Sequence, residues 1–100
     1  MISKNKLKYF ASLHQKKFRK QYGRFLAEGE KIVREILTGR NTFLEPATLL
    51  AEPSFTETLK TIPPGVEVLS AGTGELRKIS SLSNAATAIL EIRIPEFEYL

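Results

Sequence analysis

Cysteine, aspartate and tryptophan are all missing from this 100-residue sequence, and His14 is its only histidine. Without cysteine there can be no disulfide framework, no thiolate metal site and no cysteine nucleophile. Aspartate usually orients a catalytic triad and is a common magnesium ligand, so its absence removes both roles. These absences leave few ways of building a catalytic centre from this chain.

Long apolar runs are missing as well. No stretch of the sequence approaches the roughly 20 apolar residues that a membrane-spanning helix needs. The N-terminus is polar and basic, and it is not followed by the apolar segment of a secretory signal. We therefore expect no membrane partner and a cytoplasmic location, with which the lack of cysteine is compatible.

The few residues that suggest catalysis have simpler interpretations. His14 falls on or near the apolar face of a basic helix, where a structural role or a weak phosphate contact is far more common than general-base catalysis. Glu28 and Glu30 flank Gly29, where a salt bridge or a favourable helix N-terminal charge is the better interpretation. The Ala-Gly-Thr-Gly segment at 71–74 lacks the ending of a phosphate loop and the third glycine of a dinucleotide site. No catalytic, cofactor-binding or metal-binding residue is predicted.

Positive charge is concentrated at the beginning of the chain. Residues 1–40 carry eleven Lys/Arg and three Glu, whereas residues 41–100 carry four Lys/Arg and eight Glu. The first 27 residues contain no acidic side chain. Such a one-sided field usually marks a surface that faces a polyanion, although a basic run alone is as often a solvated face.

Two aromatic residues interrupt the basic segment 15–22. Phe18 and Tyr22 lie among Lys16, Lys17 and Arg19, and aromatic rings in such surroundings can stack on exposed bases. Packing against the core is the commoner role for Phe18. For Tyr22, which precedes a glycine, the two roles are about equally common.

Hydrophobic spacing predicts alternating helices and strands, and therefore an α/β fold. We expect a small three-layer α/β/α sandwich around a largely parallel sheet. A helix is predicted after an N-cap at Ser3, and the basic segment 15–22 follows it. Further helices are predicted at 30–38, from the Ser54/Glu57 capping box to Ile62, and at 73–80. The predicted strands are 24–28, 47–51, 66–69 and 87–94, and in the last of them Leu90, Ile92 and Ile94 alternate with Glu91 and Arg93.

Several stretches resemble the opening of SpoU-family RNA 2′-O-ribose methyltransferases, the TrmH-like branch of the SPOUT superfamily. They are a serine-led basic helix at 1–10, the Lys-Lys-Phe-Arg segment at 16–19, and Phe-Leu-Ala-Glu-Gly leading into a helix at 25–35. The Leu-Ser-Asn segment at 82–84 and the apolar strand ending at Pro95 lie where that domain closes. The resemblance is specific over 3–35 and looser afterwards, where Thr87 and Ala88 replace a glycine that the family often has.

The resemblance implies a two-part enzyme. Residues 1–95 would form an RNA substrate-binding domain similar to kink-turn-binding ribosomal proteins, and residues 96–100 would begin a linker to a catalytic domain absent from this chain. That domain would bind S-adenosylmethionine, form a homodimer and methylate a ribose in ribosomal or transfer RNA, so this chain alone should be inactive. By resemblance the RNA contacts fall among Asn5, Lys8, Lys16, Lys17, Arg19 and Arg34. Glu28 and Gly29 look structural.

Two other interpretations stay open. The second interpretation is a stand-alone, ribosomal-type RNA-binding protein, and what separates it from the first is whether about 150 further residues, a typical domain, follow Leu100. Alternatively, the domain mainly supports dimer packing and its basic face is solvated. If RNA binding is the function, changing Lys16, Lys17 and Arg19 to alanine should weaken it without unfolding the protein.

Overall fold

A computed structural model describes residues 2–39, 44–81 and 86–94 of the chain. Helices and strands alternate along most of it, as the hydrophobic spacing predicts. The elements are α1 (Lys4–Ser12), α2 (Lys16–Tyr22), β1 (Arg24–Glu28), α3 (Glu30–Leu37), β2 (Glu45–Ala51), α4 (Pro53–Thr56), β3 (Glu67–Ser70), α5 (Thr73–Ile79) and β4 (Ala88–Arg93). The 82–84 segment, Pro95 and the predicted linker at 96–100 lie outside the described residues.

The four strands form one sheet in the order β1-β4-β2-β3. The prediction of a largely parallel sheet is wrong. Only β2 and β3 pair in parallel, while β4 runs antiparallel to both of its neighbours, β1 and β2. The first three strands do point the same way, as strand–helix–strand crossovers require, but the last strand enters between β1 and β2 from the opposite end.

Helices cover both faces of the sheet, so the three-layer α/β/α class is confirmed. On one face α3 and α4 pack their apolar side chains against the sheet, with Val33 and Phe55 buried beside Leu49 and Leu90. On the other face α1 and α5 do the same, with Phe10 and Ile79 buried beside Ile89. Burying apolar side chains contributes roughly 1.5–3 kcal/mol each, so these two layers supply most of the stability.

Because β4 lies inside the sheet and is covered on both faces, it is buried throughout Ala88–Ile92. The alternation of apolar and charged residues predicts a strand with one polar face. Instead Glu91 is only 1% exposed, on the face that α1 covers. A charged residue at such a position needs partners inside the protein.

Local signals place most element ends correctly. The Ser3 hydroxyl accepts a hydrogen bond from the Lys6 amide at 3.2 Å, which confirms the N-cap of α1. Gly23 ends α2 in the left-handed conformation, with φ of 67°. Between β1 and α3, Gly29 has φ of 117°, which an L side chain rarely adopts, and its amide donates to the Ala88 carbonyl at 3.0 Å.

The predicted helix behind Ser54 and Glu57 is mostly wrong. Helix α4 spans only Pro53–Thr56, and Glu52 rather than Ser54 is its N-cap residue. Proline at the first helical position favours this earlier start. The helix ends where the Thr58 hydroxyl bonds to the Phe55 carbonyl at 2.6 Å, so Leu59 and Ile62 belong to the following loop.

No helix among the residues that the structure describes is long and apolar enough to cross a membrane.

The end of β1 is joined to the end of α5 through a carboxylate. Glu28 accepts hydrogen bonds from the Ser80 hydroxyl and from both the amide and hydroxyl of Ser81, the latter at 2.7 Å. Partial burial raises the pKa of Glu28, but these hydrogen bonds outweigh it, and the net pKa lies below the ordinary 4.5. Glu28 is therefore structural, as predicted, although through serine hydrogen bonds rather than a salt bridge.

Because its pKa is lowered by folding, Glu28 stabilises the protein above pH 4.5, and this contribution is lost as the pH falls through the folded-state pKa. We expect Glu28→Gln to lower the free energy of unfolding by about 1 kcal/mol at neutral pH. The difference from the parent should shrink near pH 3. Denaturant unfolding at both pH values measures it, with exposed Glu57→Gln as the control. A difference that does not change with pH would contradict this role.

Candidate nucleic-acid interface

Helices α1 and α2 carry the basic residues of the N-terminus. Helix α1 is anchored to the sheet by Phe10, which is 4% exposed, with Leu7 beside it. The lysines of both helices are exposed: Lys4, Lys6, Lys8, Lys16, Lys17 and Lys20. Within the described ranges, none of them lies within 4.0 Å of a carboxylate oxygen. Their charges are therefore available to an external anion.

Of the predicted RNA contacts, Asn5, Lys8, Lys16 and Lys17 are exposed on α1 and α2. Lys8 and Lys6, however, project from opposite flanks of α1, about 160° apart at 100° per residue. The α1 cations therefore divide into two groups, one of which includes Lys8 and the other Lys6.

Arg19 has a structural function that the sequence does not reveal. Its guanidinium donates to the carbonyl oxygens of Leu13 and His14, at 3.1 and 2.7 Å. These carbonyls lie at the C-terminal end of α1, where unpaired oxygens and the helix dipole favour a cation. Arg19 thus holds α2 against the end of α1.

Arg34 lies on the other side of the sheet from α1. Its guanidinium donates to the Thr58 hydroxyl at 3.1 Å, packs 5.0 Å from the centre of the Phe55 ring, and is 3.9 Å from Glu30. The structure therefore places five of the six predicted residues on two adjacent helices, four of them exposed, and leaves Arg34 on a separate surface. RNA contact by any of the six remains a prediction.

His14 has the structural role expected of it. Its Nε2 atom hydrogen-bonds to the Ile79 carbonyl, so the turn between α1 and α2 is joined to the C-terminus of α5. This contact engages Nε2 with a backbone carbonyl. Nothing in the geometry suits His14 to general-base catalysis.

Sequence reasoning missed a groove that lies over one end of the sheet, beside α1. We call it the tyrosine groove. It has a volume of about 310 Å³ and is lined by Lys6, Tyr9, Phe10, Tyr22, Arg24, Thr48, Glu67 and Glu91. Its residues come from six elements spread between α1 and β4, so no local pattern marks it.

The floor of the tyrosine groove is a hydrogen-bonded carboxylate. Glu91 accepts from the Tyr9 hydroxyl and from the Thr48 hydroxyl at 2.7 Å, and it pairs with Arg24 at 3.2 Å. Burial, followed by the hydrogen bond to Glu91, raises the pKa of Tyr9 far above its ordinary value. The phenol of Tyr9 therefore stays protonated and donates to Glu91, and the buried carboxylate also has Thr48 and Arg24 as partners.

The aromatic rings of the groove form a connected row. The rings of Tyr9 and Tyr22 meet edge to face at 5.0 Å, and Phe18 stacks on Tyr22 at 6.2 Å and 15°. Phe18 is only partly buried, and its ring contacts Tyr22 and Lys17. Tyr22 remains 43% exposed.

The glycine-containing segment 71–74 is a helix start, as predicted. Gly72 caps α5, and its amide already donates to the Glu75 carboxylate at 3.0 Å. Helix α5 has only seven residues. These features do not fit a nucleotide or S-adenosylmethionine. Among the described residues there is also no group of three side chains suited to a metal ion.

Replacing Arg19 should affect stability as well as charge. We expect Arg19→Ala to lower the free energy of unfolding by about 1 kcal/mol, because two carbonyl oxygens lose a charged donor. Lys20→Ala removes an exposed cation from the same helix and should change it by less than about 0.5 kcal/mol. Equal stabilities of the two variants in denaturant unfolding would show that the cap contributes nothing.

The stability of the protein should be far more sensitive to replacement of Glu91. Glu91→Gln leaves Arg24 without its counter-charge. It also places the amide NH2 of glutamine, a donor, beside the hydroxyl groups that donate to Glu91. We therefore expect a loss of about 2–4 kcal/mol in the free energy of unfolding. The matched control is Glu67→Gln, an exposed carboxylate on the next strand but one, which should cost less than about 0.5 kcal/mol. Similar melting temperatures for the two variants would refute this account of the groove floor.

Solved structures of several RNA methyltransferases contain this fold. A TrmH-family RNA methyltransferase from Porphyromonas gingivalis superimposes with a TM-score of 0.81 at 24% identity, over 95% of this chain and 36% of that one. A protein described as an RNA 2′-O ribose methyltransferase gives 0.69 at 26% identity, over 94% and 36%. The SpoU methyltransferase AviRb from Streptomyces viridochromogenes, solved with the cofactor AdoMet, gives 0.71 at 17% identity, over 93% and 36%.

This chain therefore spans about a third of the length of the proteins that it resembles in structure. A search of curated protein sequences finds no match. A family model is more informative. Residues 4–89 match the model described as the MRM3-like substrate binding domain. Since this match covers nearly all of α1 to β4, the chain belongs to the family of MRM3-like substrate binding domains.

Proposed function

We propose that this domain captures substrate RNA on α1 and α2 and positions it for 2′-O-ribose methylation by a separate catalytic domain. The observation that carries the proposal is the set of exposed N-terminal lysines, none of which has a carboxylate partner among the described residues. Lysine binds phosphates by displacing condensed counterions, which gives affinity and register but little sequence preference.

The comparisons favour an enzyme component over a stand-alone RNA-binding protein. The proteins of similar structure are described as RNA methyltransferases, and this fold makes up 36% of each chain. A methyltransferase that modifies one nucleotide of a large RNA needs an element that holds the substrate, since correct positioning contributes much of the rate. A dedicated substrate-binding domain is such an element.

The cofactor of this proposed reaction belongs to the catalytic domain. AviRb was solved with AdoMet, whereas the glycine-containing segment 71–74 of this chain, where Gly72 caps α5, does not fit it. S-adenosylmethionine would supply the methyl group there, and the residues of this domain would bind and orient RNA. A ribosomal or transfer RNA substrate, a homodimer formed through the catalytic domain and a cytoplasmic location are parts of the same proposal.

The salt dependence of RNA binding tests the proposal. Because Arg19 supports α1, the sharpest variant is Lys16→Ala combined with Lys17→Ala. If each lysine neutralises one phosphate, the slope of log K against log salt should become shallower by about 0.7–0.9 per lysine. Fluorescence anisotropy with a labelled structured ribosomal RNA fragment, titrated at several salt concentrations, measures this slope.

A matched control removes the same charge elsewhere. Lys60 and Lys78 are exposed residues of the loop after α4 and of α5, outside the N-terminal basic region. Changing both to alanine should leave the slope nearly unaltered. An equal change of slope in the two double variants would indicate that only net charge matters, and an unchanged slope in the first would exclude α2 from the interface.

A further inference from the structure

The tyrosine groove combines features that a basic surface alone does not need. Tyr22 is 43% exposed, yet its ring is held by Tyr9 at 5.0 Å and by Phe18 at 6.2 Å. Lys17 lies over the Phe18 ring at 4.9 Å and extends the row into the basic region of α2. An exposed ring that is fixed in place loses little conformational entropy when a flat ligand packs on it.

Two arginines lie directly opposite each other beside the groove. Arg24 of β1 and Arg93 of β4 are register partners, so both side chains leave the same face of the sheet, the one that carries Glu91. Like charges directly opposite on neighbouring strands are destabilising. Arg24 is paired with Glu91, and Glu45 of β2 is the register partner of Arg93 on its other side. Among the residues described, however, exposed Arg93 has no carboxylate within 4.0 Å, so its guanidinium can bind a phosphate beside Arg24.

The other groups around the groove suit the edge of a base. Lys6 lies at the rim, and Glu67 of β3 contributes an exposed carboxylate, which can accept hydrogen bonds from ring or exocyclic N–H groups. Aromatic walls, a carboxylate acceptor and nearby cations correspond to the three parts of a nucleotide: ring faces, N–H edge and phosphate. A duplex conceals the ring faces, whereas an unpaired nucleotide presents them.

We propose that the tyrosine groove binds one unpaired nucleotide of the RNA, with its base against Tyr22 and a neighbouring phosphate beside Arg24 and Arg93. This inference rests on the proposed function and adds to it a preference for RNA that has an unpaired nucleotide. The lysines of α1 and α2 bind any phosphate backbone, while the groove selects RNA that has an exposed base. The domain would then favour loops or bulges over continuous helices.

The test compares two RNA probes. One is a single-stranded oligoadenylate with one 2-aminopurine, and the other is a blunt RNA duplex of the same nucleotide number. Stacking on an aromatic side chain is worth about 1–3 kcal/mol per base. Tyr22→Ala should therefore weaken binding of the single strand about tenfold and leave duplex binding within about twofold. Tyr22→Phe, which keeps the ring, should bind both probes like the parent, with 2-aminopurine fluorescence quenched.

The matched control is Val68→Ala on β3. Val68 is 39% exposed, close to the 43% of Tyr22, but it pairs with Leu49 and so lies on the opposite face of the sheet. The Val68→Ala substitution should change neither the affinity for the single strand nor that for the duplex. The variant Arg93→Gln tests the phosphate part and should make the single-strand salt slope shallower by about 0.7.

The outcomes separate this inference from the proposed function. If the parent binds neither probe, the proposed function fails and the groove assignment fails with it. If binding depends on Lys16 and Lys17 but Tyr22→Ala leaves it unchanged, or weakens both probes equally, only the groove assignment is overturned. If Tyr22→Ala leaves RNA affinity intact and instead weakens association between protein chains, the groove is a protein contact.

Discussion

A single buried carboxylate determines how the first helix is attached to the sheet. Glu91 lies at the point where α1, β1, β2 and β4 meet, and it is bonded by Tyr9, Arg24 and Thr48. A charge in this position would cost several kcal/mol without partners, so all three must be in place together. Since Tyr9 belongs to α1, the bond also fixes the rotation of that helix about its axis. The directions in which Lys6 and Lys8 project follow from it.

The same arrangement explains why basic residues and aromatic rings occur side by side. Helix α2 is held by Arg19 to the end of α1 and by Tyr22 to Tyr9. The two helices are therefore joined to each other as well as to the sheet, so the lysines that they carry have defined positions relative to one another. A rigid set of charges aligns an RNA backbone better than a flexible tail of the same composition, because less entropy is lost on binding.

Much of the fold could be predicted from local signals. The cap at Ser3, the turn at Gly23, and the strand–glycine–helix unit around Gly29 all lie where the sequence places them. These features depend on residues within a few positions of one another. The direction of a strand in the sheet does not depend on such neighbouring residues. The antiparallel insertion of β4 between β1 and β2 depends on the path of the whole chain, and nothing in the apolar pattern of Leu90 and Ile92 records it.

The site was less predictable for the same reason. A stretch of 27 residues without a carboxylate correctly predicts exposed lysines that form no ion pair with the part of the chain that the structure describes. It cannot indicate that Arg19 caps a helix, nor that Arg34 contacts Phe55 and Thr58 some 20 residues later. Tyr9 and Glu91 are 82 positions apart, and their contact forms only when the last strand is in the centre of the sheet.

The lack of tryptophan has a consequence for observing this protein. Its intrinsic ultraviolet emission comes from tyrosine, and there are three tyrosines in the chain, two of which line the groove. The Tyr9 phenol is bonded to a carboxylate and has a raised pKa, so it stays protonated in alkali that ionises an ordinary phenol. The protein thus carries its own fluorophores at this position, and a ligand that packs against Tyr22 can be followed through tyrosine emission without attaching a dye.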